Sequence, residues 1–401
     1  MTATRRARWP HGTRYTPGLR PAFPTLGPQP PRRRRRRVLA VAGLLLAALL
    51  VAALASTSWL ATFGGKLEGE RLARAGRSPN FRDGAFTNLL PSDMLEPGTF
   101  WEMVRHQLFG DEQREPPSPL PVVPRTAADY AAPPASGLRV TWIGHASALV
   151  ELDGARVLTD PVWSDRCSPS TLAGPRRFQP APIALDGLPP VDLVVISHDH
   201  YDHLDMATVK ALAARGTRFA VPLGVGAHLE AWGVPAAQLV ELDWNESATV
   251  GALTVTATPA RHYSGRNPLR RDAMLWASWV VAGPQHRFFF SGDSGYFGGF
   301  AAIGAAHGPF DLTLVKIGAC DRTWQQIHMS PEEAVRVHQD VRGLVLVPVH
   351  WGTFNLAFHA WNAPAEEVVE AAARAGVTLV VPRIGELVEP ASPPALERWW
   401  R

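Results

Sequence analysis

The run Leu193-Val194-Val195-Ile196-Ser197-His198-Asp199-His200-Tyr201-Asp202-His203 decides how this chain is read. Four apolar residues give way at once to three histidines and two aspartates. Such a run reads as a buried strand delivering ligands to a loop at its carboxyl edge, where alternating strands and helices place their sites. Alternate residues of an extended segment point the same way, so His198 and His200 can share one ion. Asp202 and His203 lie past the bend, where they can serve a second ion. A polar surface turn explains one or two histidines, but not residues so ordered.

Outward from this run, the pattern is dense from Gly137 onward. Leu138 to Ile143, Ala148 to Leu152 and Arg156 to Thr159 read as short strands joined by tight turns at Gly144 and Asp153-Gly154. Met206 to Ala214 reads as a helix and Arg218 to Val221 as a strand. Leu253 to Ala257, Ala273 to Val281, Arg287 to Phe290, Leu312 to Lys316 and Leu344 to Val349 read as further strands, and Pro331 to Asp340 and Pro364 to Ala375 as helices. Strands of both alternating and continuous apolar pattern, interleaved with helices, imply an α/β fold of two sheets covered outside by helices, a four-layer αβ/βα sandwich. Three more polar residues stand just past predicted strands: His262, Asp293 and His350. A lone histidine after a strand is usually structural, but several independent strand ends ending alike point to one cleft.

The His198 to His203 motif resembles the signature of the metallo-β-lactamase fold hydrolases, and the three strand-end residues resemble that family's remaining ligand positions. The resemblance implies His198, His200 and His262 on one ion, Asp202, His203 and His350 on another, and Asp293 bridging them. Nitrogen and oxygen ligands without cysteine favour two zinc ions, with iron or manganese also compatible. Asp160, in Leu158-Thr159-Asp160-Pro161, is the candidate for holding a ligand imidazole from behind. Two ions about 3.5–4 Å apart activate water and bind the oxygens of a phosphodiester, so hydrolysis is the natural chemistry.

The 401 residues, 46% of them hydrophobic, suffice for one domain of about 250 residues plus appendages. The formal charge of +4 misleads, because residues 1–37 carry eleven arginines and no acid; without those eleven charges the remainder stands at −7. A nucleic-acid partner thereby loses its main support. Cys167 and Cys320 form no metal-binding or disulfide pattern. Residues 1–37 read as a disordered Arg/Pro-rich cytoplasmic tail. Residues 38–60 read as a transmembrane helix, oriented by the Arg32 to Arg37 block so that the catalytic domain is extracytoplasmic. A cleavable signal peptide is the rival, since Ala53-Leu54-Ala55 is an A-x-A site; it too exports the domain. Residues 61–136 are a membrane-proximal segment and linker with a partly helical, amphipathic stretch around Phe100 to Phe109. The hydrolase domain is placed at 137–390 and a C-terminal tail at 391–401.

Within the family, Trp142-Ile143-Gly144-His145-Ala146, Ser291-Gly292-Asp293-Ser294-Gly295-Tyr296, His328-Met329-Ser330-Pro331-Glu332-Glu333 and His350-Trp351-Gly352-Thr353-Phe354 are similar to the N-acyl-phosphatidylethanolamine phospholipase D group. That resemblance spans about residues 137–358. It implies a zinc-dependent phosphodiesterase acting on a phospholipid at a membrane, with Asp293 and the non-ligand His328 catalytic, and it leaves a homodimer open. Physically, His328 beside two ions would protonate a leaving group or stabilise charge on phosphate; the competing reading is a residue capping the helix from Pro331. Tyr201, Trp351 and Phe354 are candidate substrate contacts, although aromatic clusters are more often core. A metal-dependent lactonase, resembling the ascorbate-phosphate lactonase branch, is the second enzymatic reading. An inactive membrane-bound sensor or scaffold is the third, weakened by the complete ligand set.

Overall fold

Strands start where the apolar runs start. In the computed structural model, which describes residues 40–43, 46 and 60–401, a short hairpin of β1 (Phe81–Arg82) and β2 (Ala85–Phe86) comes first. Asp83 and Gly84 close it at φ 53° and 83°, the backbone an Asp-Gly hairpin turn provides. Then follow β3 (Leu138–Gly144), β4 (Ser147–Leu152), β5 (Ala155–Thr159), β6 (Leu193–Val195), β7 (Arg218–Pro222) and β8 (Leu239–Leu242). The second half holds β9 (Ser247–Val250), β10 (Leu253–Thr258), β11 (Ser278–Ala282), β12 (Arg287–Phe290), β13 (Phe310–Lys316), β14 (Gly343–Val349), β15 (Thr378–Leu379) and β16 (Leu387–Val388).

These strands make two seven-stranded sheets, ordered β16-β3-β4-β5-β6-β7-β8 and β15-β14-β13-β12-β11-β10-β9. Each is antiparallel on one side and parallel on the other: the change falls at β5 in the first sheet and at β12 in the second. The central parallel strands are buried on both faces, as their unbroken apolar runs require: every residue of β6 is buried. One continuous core joins the sheets. Trp279 of β11 ties them directly, its indole N–H donating to Ile196 O at 2.9 Å. The helix Pro331–Asp340 packs on β13 and β14 and against the helix Ala363–Ala375. The first of these begins with Pro and a reciprocal Ser330/Glu333 capping box, which satisfies two otherwise orphaned amides.

The expected strand at 273–281 is shorter at its start. Leu275 N–H donates to Leu223 O at 2.9 Å and Ala277 N–H to Ser197 O at 2.8 Å, so this stretch bonds to loops of the first sheet before β11 begins. Residues 61–136 pack against the domain. Asn88 Nδ2 donates to His262 O at 2.8 Å, Val122 bridges to Ile384, and Arg125 Nε donates to Gly385 O at 2.6 Å. The helix Phe100–Phe109 forms as the amphipathic pattern suggests, yet buries none of its residues. Trp399 and Trp400 pack on the domain, with ring centroids 5.3 and 5.7 Å from Trp351.

The expectation of a single-pass membrane protein is corrected. Among the described residues no helix is long and apolar enough to cross a membrane. A bilayer core takes about 20 apolar helical residues, whereas the helix Ala363–Ala375 has 13 and carries three glutamates. The tail at 1–37 and nearly all of the span at 38–60 lie outside the described residues.

Candidate metal centre

Six strand ends feed one edge of the two sheets. From the first sheet, β3 leads into His145, β5 into Asp160 and β6 into His198 to His203; from the second, β10 leads to His262, β12 to Asp293 and β14 to His350. His145, Asp160 and His350 have positive φ of 53°, 31° and 65°, a region in which side-chain-bearing residues are uncommon.

Two groups result. His198 Nε2 lies 2.8 Å from His200 Nδ1, and His262 Nε2 lies 3.3 Å from the same nitrogen. In the other group, Asp202 Oδ2 is 3.2 Å from His203 Nε2 and 3.4 Å from His350 Nε2, and those two nitrogens are 3.1 Å apart. Asp293 reaches both groups: its Oδ2 is 3.1 Å from His350 Nε2, 3.4 Å from His203 Nε2 and 3.9 Å from His262 Nε2. Imidazoles gathered so closely repel when protonated and leave lone pairs facing lone pairs when neutral. Asp293 Oδ1 is moreover buried without a hydrogen-bond partner, a costly state unless a cation meets it. These observations and the all nitrogen and oxygen donor set fit two divalent cations.

The supporting bonds select which nitrogen faces the centre. His203 Nδ1 is 2.6 Å from Asp160 Oδ2, and the buried Asp160 is itself held by Ser197, through the backbone N–H at 2.6 Å and the hydroxyl at 2.5 Å. A carboxylate behind an imidazole fixes its tautomer and its aim. His262 Nδ1 is 3.1 Å from Ile327 O, and His198 Nδ1 is 2.9 Å from Ser197 Oγ. Burial, then the neighbouring imidazoles, push His198 and His262 well below the ordinary histidine range, keeping them in the neutral form a metal requires. For Asp202 and Asp293 burial acts upward, but the surrounding histidines outweigh it and hold both well below the usual carboxylate range.

His145 had drawn no role from the sequence. It is 2% exposed, its Nε2 lies 2.9 Å from Asp202 Oδ2, and its ring centroid is 4.0 Å from that of His350, so it joins the second group. The available signal was its place after a predicted strand, shared with His262 and His350.

Over the groups lies a cleft of about 250 Å³ lined by Met94, Asp202, Tyr263, Trp324, His328 and His350 among others. His328 stands on its wall, Nε2 3.6 Å from Asp293 Oδ2. Ser330, two residues on, caps the following helix, which leaves the His328 side chain free of that task. None of the three aromatic candidates lines that cleft, although Trp351 and Phe354 line an adjoining pocket with His145 and His350. Tyr201 donates to Arg266 O at 3.1 Å, with the Arg266 guanidinium 4.2 Å above its ring. Trp351 is 3% exposed and stacks on Trp142 at 5.3 Å. Phe354 packs between Arg177 and His145, 5.5 and 5.2 Å away.

The family model described as Beta-lactamase superfamily domain matches residues 155–351. An uncharacterized Mycobacterium tuberculosis protein is 51% identical over 369 residues, covering 87% of this chain and 96% of that one. The N-acyl-phosphatidylethanolamine-hydrolyzing phospholipase D 1 of Caenorhabditis elegans is 39% identical over 263 residues, 63% of this chain and 73% of that protein. The crystal structure of isothiocyanate hydrolase from Delia radicum gut bacteria aligns with a TM-score of 0.51 at 19% identity, covering 63% of this chain and 98% of that one; at such identity it speaks for the fold alone.

Proposed function

The chain belongs to the β-lactamase superfamily of metal-dependent hydrolases, and from that premise we propose that it is a zinc-dependent phosphodiesterase of phospholipase D type. Its substrate is N-acyl-phosphatidylethanolamine or a similar phospholipid, cleaved to phosphatidic acid and an N-acylethanolamine. The observation that carries this reading is His328, a cleft-wall imidazole 3.6 Å from Asp293, in a segment similar to the phospholipase D group. The identity to the nematode enzyme supports the same substrate class.

Two divalent ions, held by His198, His200 and His262 and by Asp202, His203 and His350 with Asp293 shared, would supply an activated water and neutralise phosphate oxygens. The chain's own residues do the rest. Asp160 and His145 hold His203 and Asp202 in place. Burial, then the positive charge of Lys316, keep His328 well below the ordinary histidine range. A neutral imidazole there donates a hydrogen bond from Nε2 to a phosphoryl oxygen as charge builds on it. Met94, Tyr263 and Trp324 narrow the approach from solvent.

The test is product analysis after incubating the zinc-loaded full-length protein with N-acyl-phosphatidylethanolamine in mixed micelles. Zinc-dependent release of both products is expected, and His328→Ala lowers turnover by about 10²–10³-fold with metal content unchanged. Two bound ions per chain with every phosphodiester lipid intact would overturn the assignment and turn the search to lactones.

A further inference from the structure

Three neighbouring parallel strands end at the metal edge. β12 leads to Asp293 and β14 to His350; β13 lies between them and ends in Lys316. Register pairs Lys316 with Val349, the residue before His350, and the Lys316 N–H donates to Ser291 Oγ at 3.0 Å. The side chain is completely buried. Its ammonium donates to Gly318 O at 2.9 Å, and among the described residues that is its one side-chain hydrogen bond, with no carboxylate in ion-pair contact.

An ammonium carries three donors, and burying one without a counter-charge is costly. The carboxylates nearest in effect, Asp293 and Asp202, are already engaged by imidazoles. Gly318, which accepts from Lys316, adjoins Ala319, and Ala319 and His350 line the cleft. The charge therefore lies beneath the cleft floor, in a medium where it acts further than it would in water.

We propose that Lys316 is a specificity-determining residue: its buried positive charge beneath the cleft favours substrates that are anionic at the reacting centre, phosphodiesters over neutral esters and lactones. The negative partner missing from the folded chain is supplied by the bound phosphoryl group. This inference rests on the phosphodiesterase reading above, and its test is arranged so that the two fail separately.

Inorganic phosphate is titrated calorimetrically into the zinc-loaded full-length protein and its Lys316→Met and Lys316→Arg variants. Turnover of bis-p-nitrophenyl phosphate is followed in parallel. Methionine matches the volume of the lysine stem without its charge. Expected is a phosphate dissociation constant raised about tenfold or more in Lys316→Met, a parallel loss in kcat/KM, and near-native values in Lys316→Arg. Zinc content and melting temperature stay as in the parent. Unchanged phosphate affinity in Lys316→Met, or no phosphate binding by the parent, overturns the proposal. So does loss of zinc or of the fold in Lys316→Met, which would make the lysine structural. A parent that binds phosphate but cleaves no phosphodiester refutes the functional reading, while the phosphate titration still decides the role of Lys316.

Discussion

The two sheets supply the centre in different ways. The first presents His198, His200, Asp202 and His203 in six consecutive residues after β6, whereas the second contributes His262, Asp293 and His350 singly, from the ends of β10, β12 and β14. The first set shares one loop and is oriented locally, with Ser197 touching His198 and Asp160 alike. The second set has no common segment. Its members meet only because three strands of one sheet stop at the same level, and one of them, Asp293, reaches both metal groups.

That contrast is most severely tested at Asp293. Replacing it by alanine removes the carboxylate that reaches both groups, so bound metal is expected to fall below two ions per chain and turnover by at least about a thousandfold. Metal analysis of the purified variant together with a phosphodiester assay checks this. Retention of two tightly held ions would mean that the two groups hold their ions without the shared carboxylate. Asp160 probes the first sheet alone. In Asp160→Asn the imidazole of His203 loses its anionic partner, and metal affinity should weaken about 10–100-fold at one site, read by competition with a chelator. Equal weakening at both sites would show the two groups to be coupled within the first-sheet loop, through Ser197, which touches both His198 and Asp160.

The smallest effect probes the second sheet away from the centre. His338 is buried against β13, Nδ1 2.7 Å from Thr313 Oγ1, and burial pushes its pKa down to about 4. The unfolded chain holds this proton up to about pH 6.5 and the folded chain only below about 4. Acid therefore favours unfolding: stability falls as pH drops from about 6.5 towards 4 and gains nothing from this group above that range. Melting temperatures of the parent and His338→Asn, compared across pH 4 to 8, should show a shallower slope in the variant. Identical slopes would remove His338 as a contributor.

Much of the fold was legible because its strands are short, apolar and cleanly punctuated. The Asp153-Gly154 turn and the strands on either side stand where their pattern puts them. The Pro331–Asp340 helix begins at its expected residue because Ser330, Pro331 and Glu333 encode a start on their own. Less legible were β8 and β9, whose half-exposed residues alternate weakly, and β15 and β16, two residues long and held by pairing with distant strands. The stretch before β11 reads as strand from its composition, yet its amides bond to the other sheet. Aromatic residues after His350 could not be sorted by sequence into wall and core. Trp351 stacks on Trp142, and that partner lies more than two hundred positions away.

By itself the sequence determined the first half of the centre, because metal-ligand spacing within one extended segment is a local property, set by the alternation of a strand and the bend that follows it. It also determined the sheet architecture, since apolar period and turn residues act over a few positions. Only the tertiary structure decided that His145 joins Asp202, that Tyr201 and Trp351 do not line the cleft, and that Lys316 lies beneath it. Those outcomes depend on where separate strands stop relative to one another, a distance fixed by the registry of two packed sheets and written in no single stretch of chain.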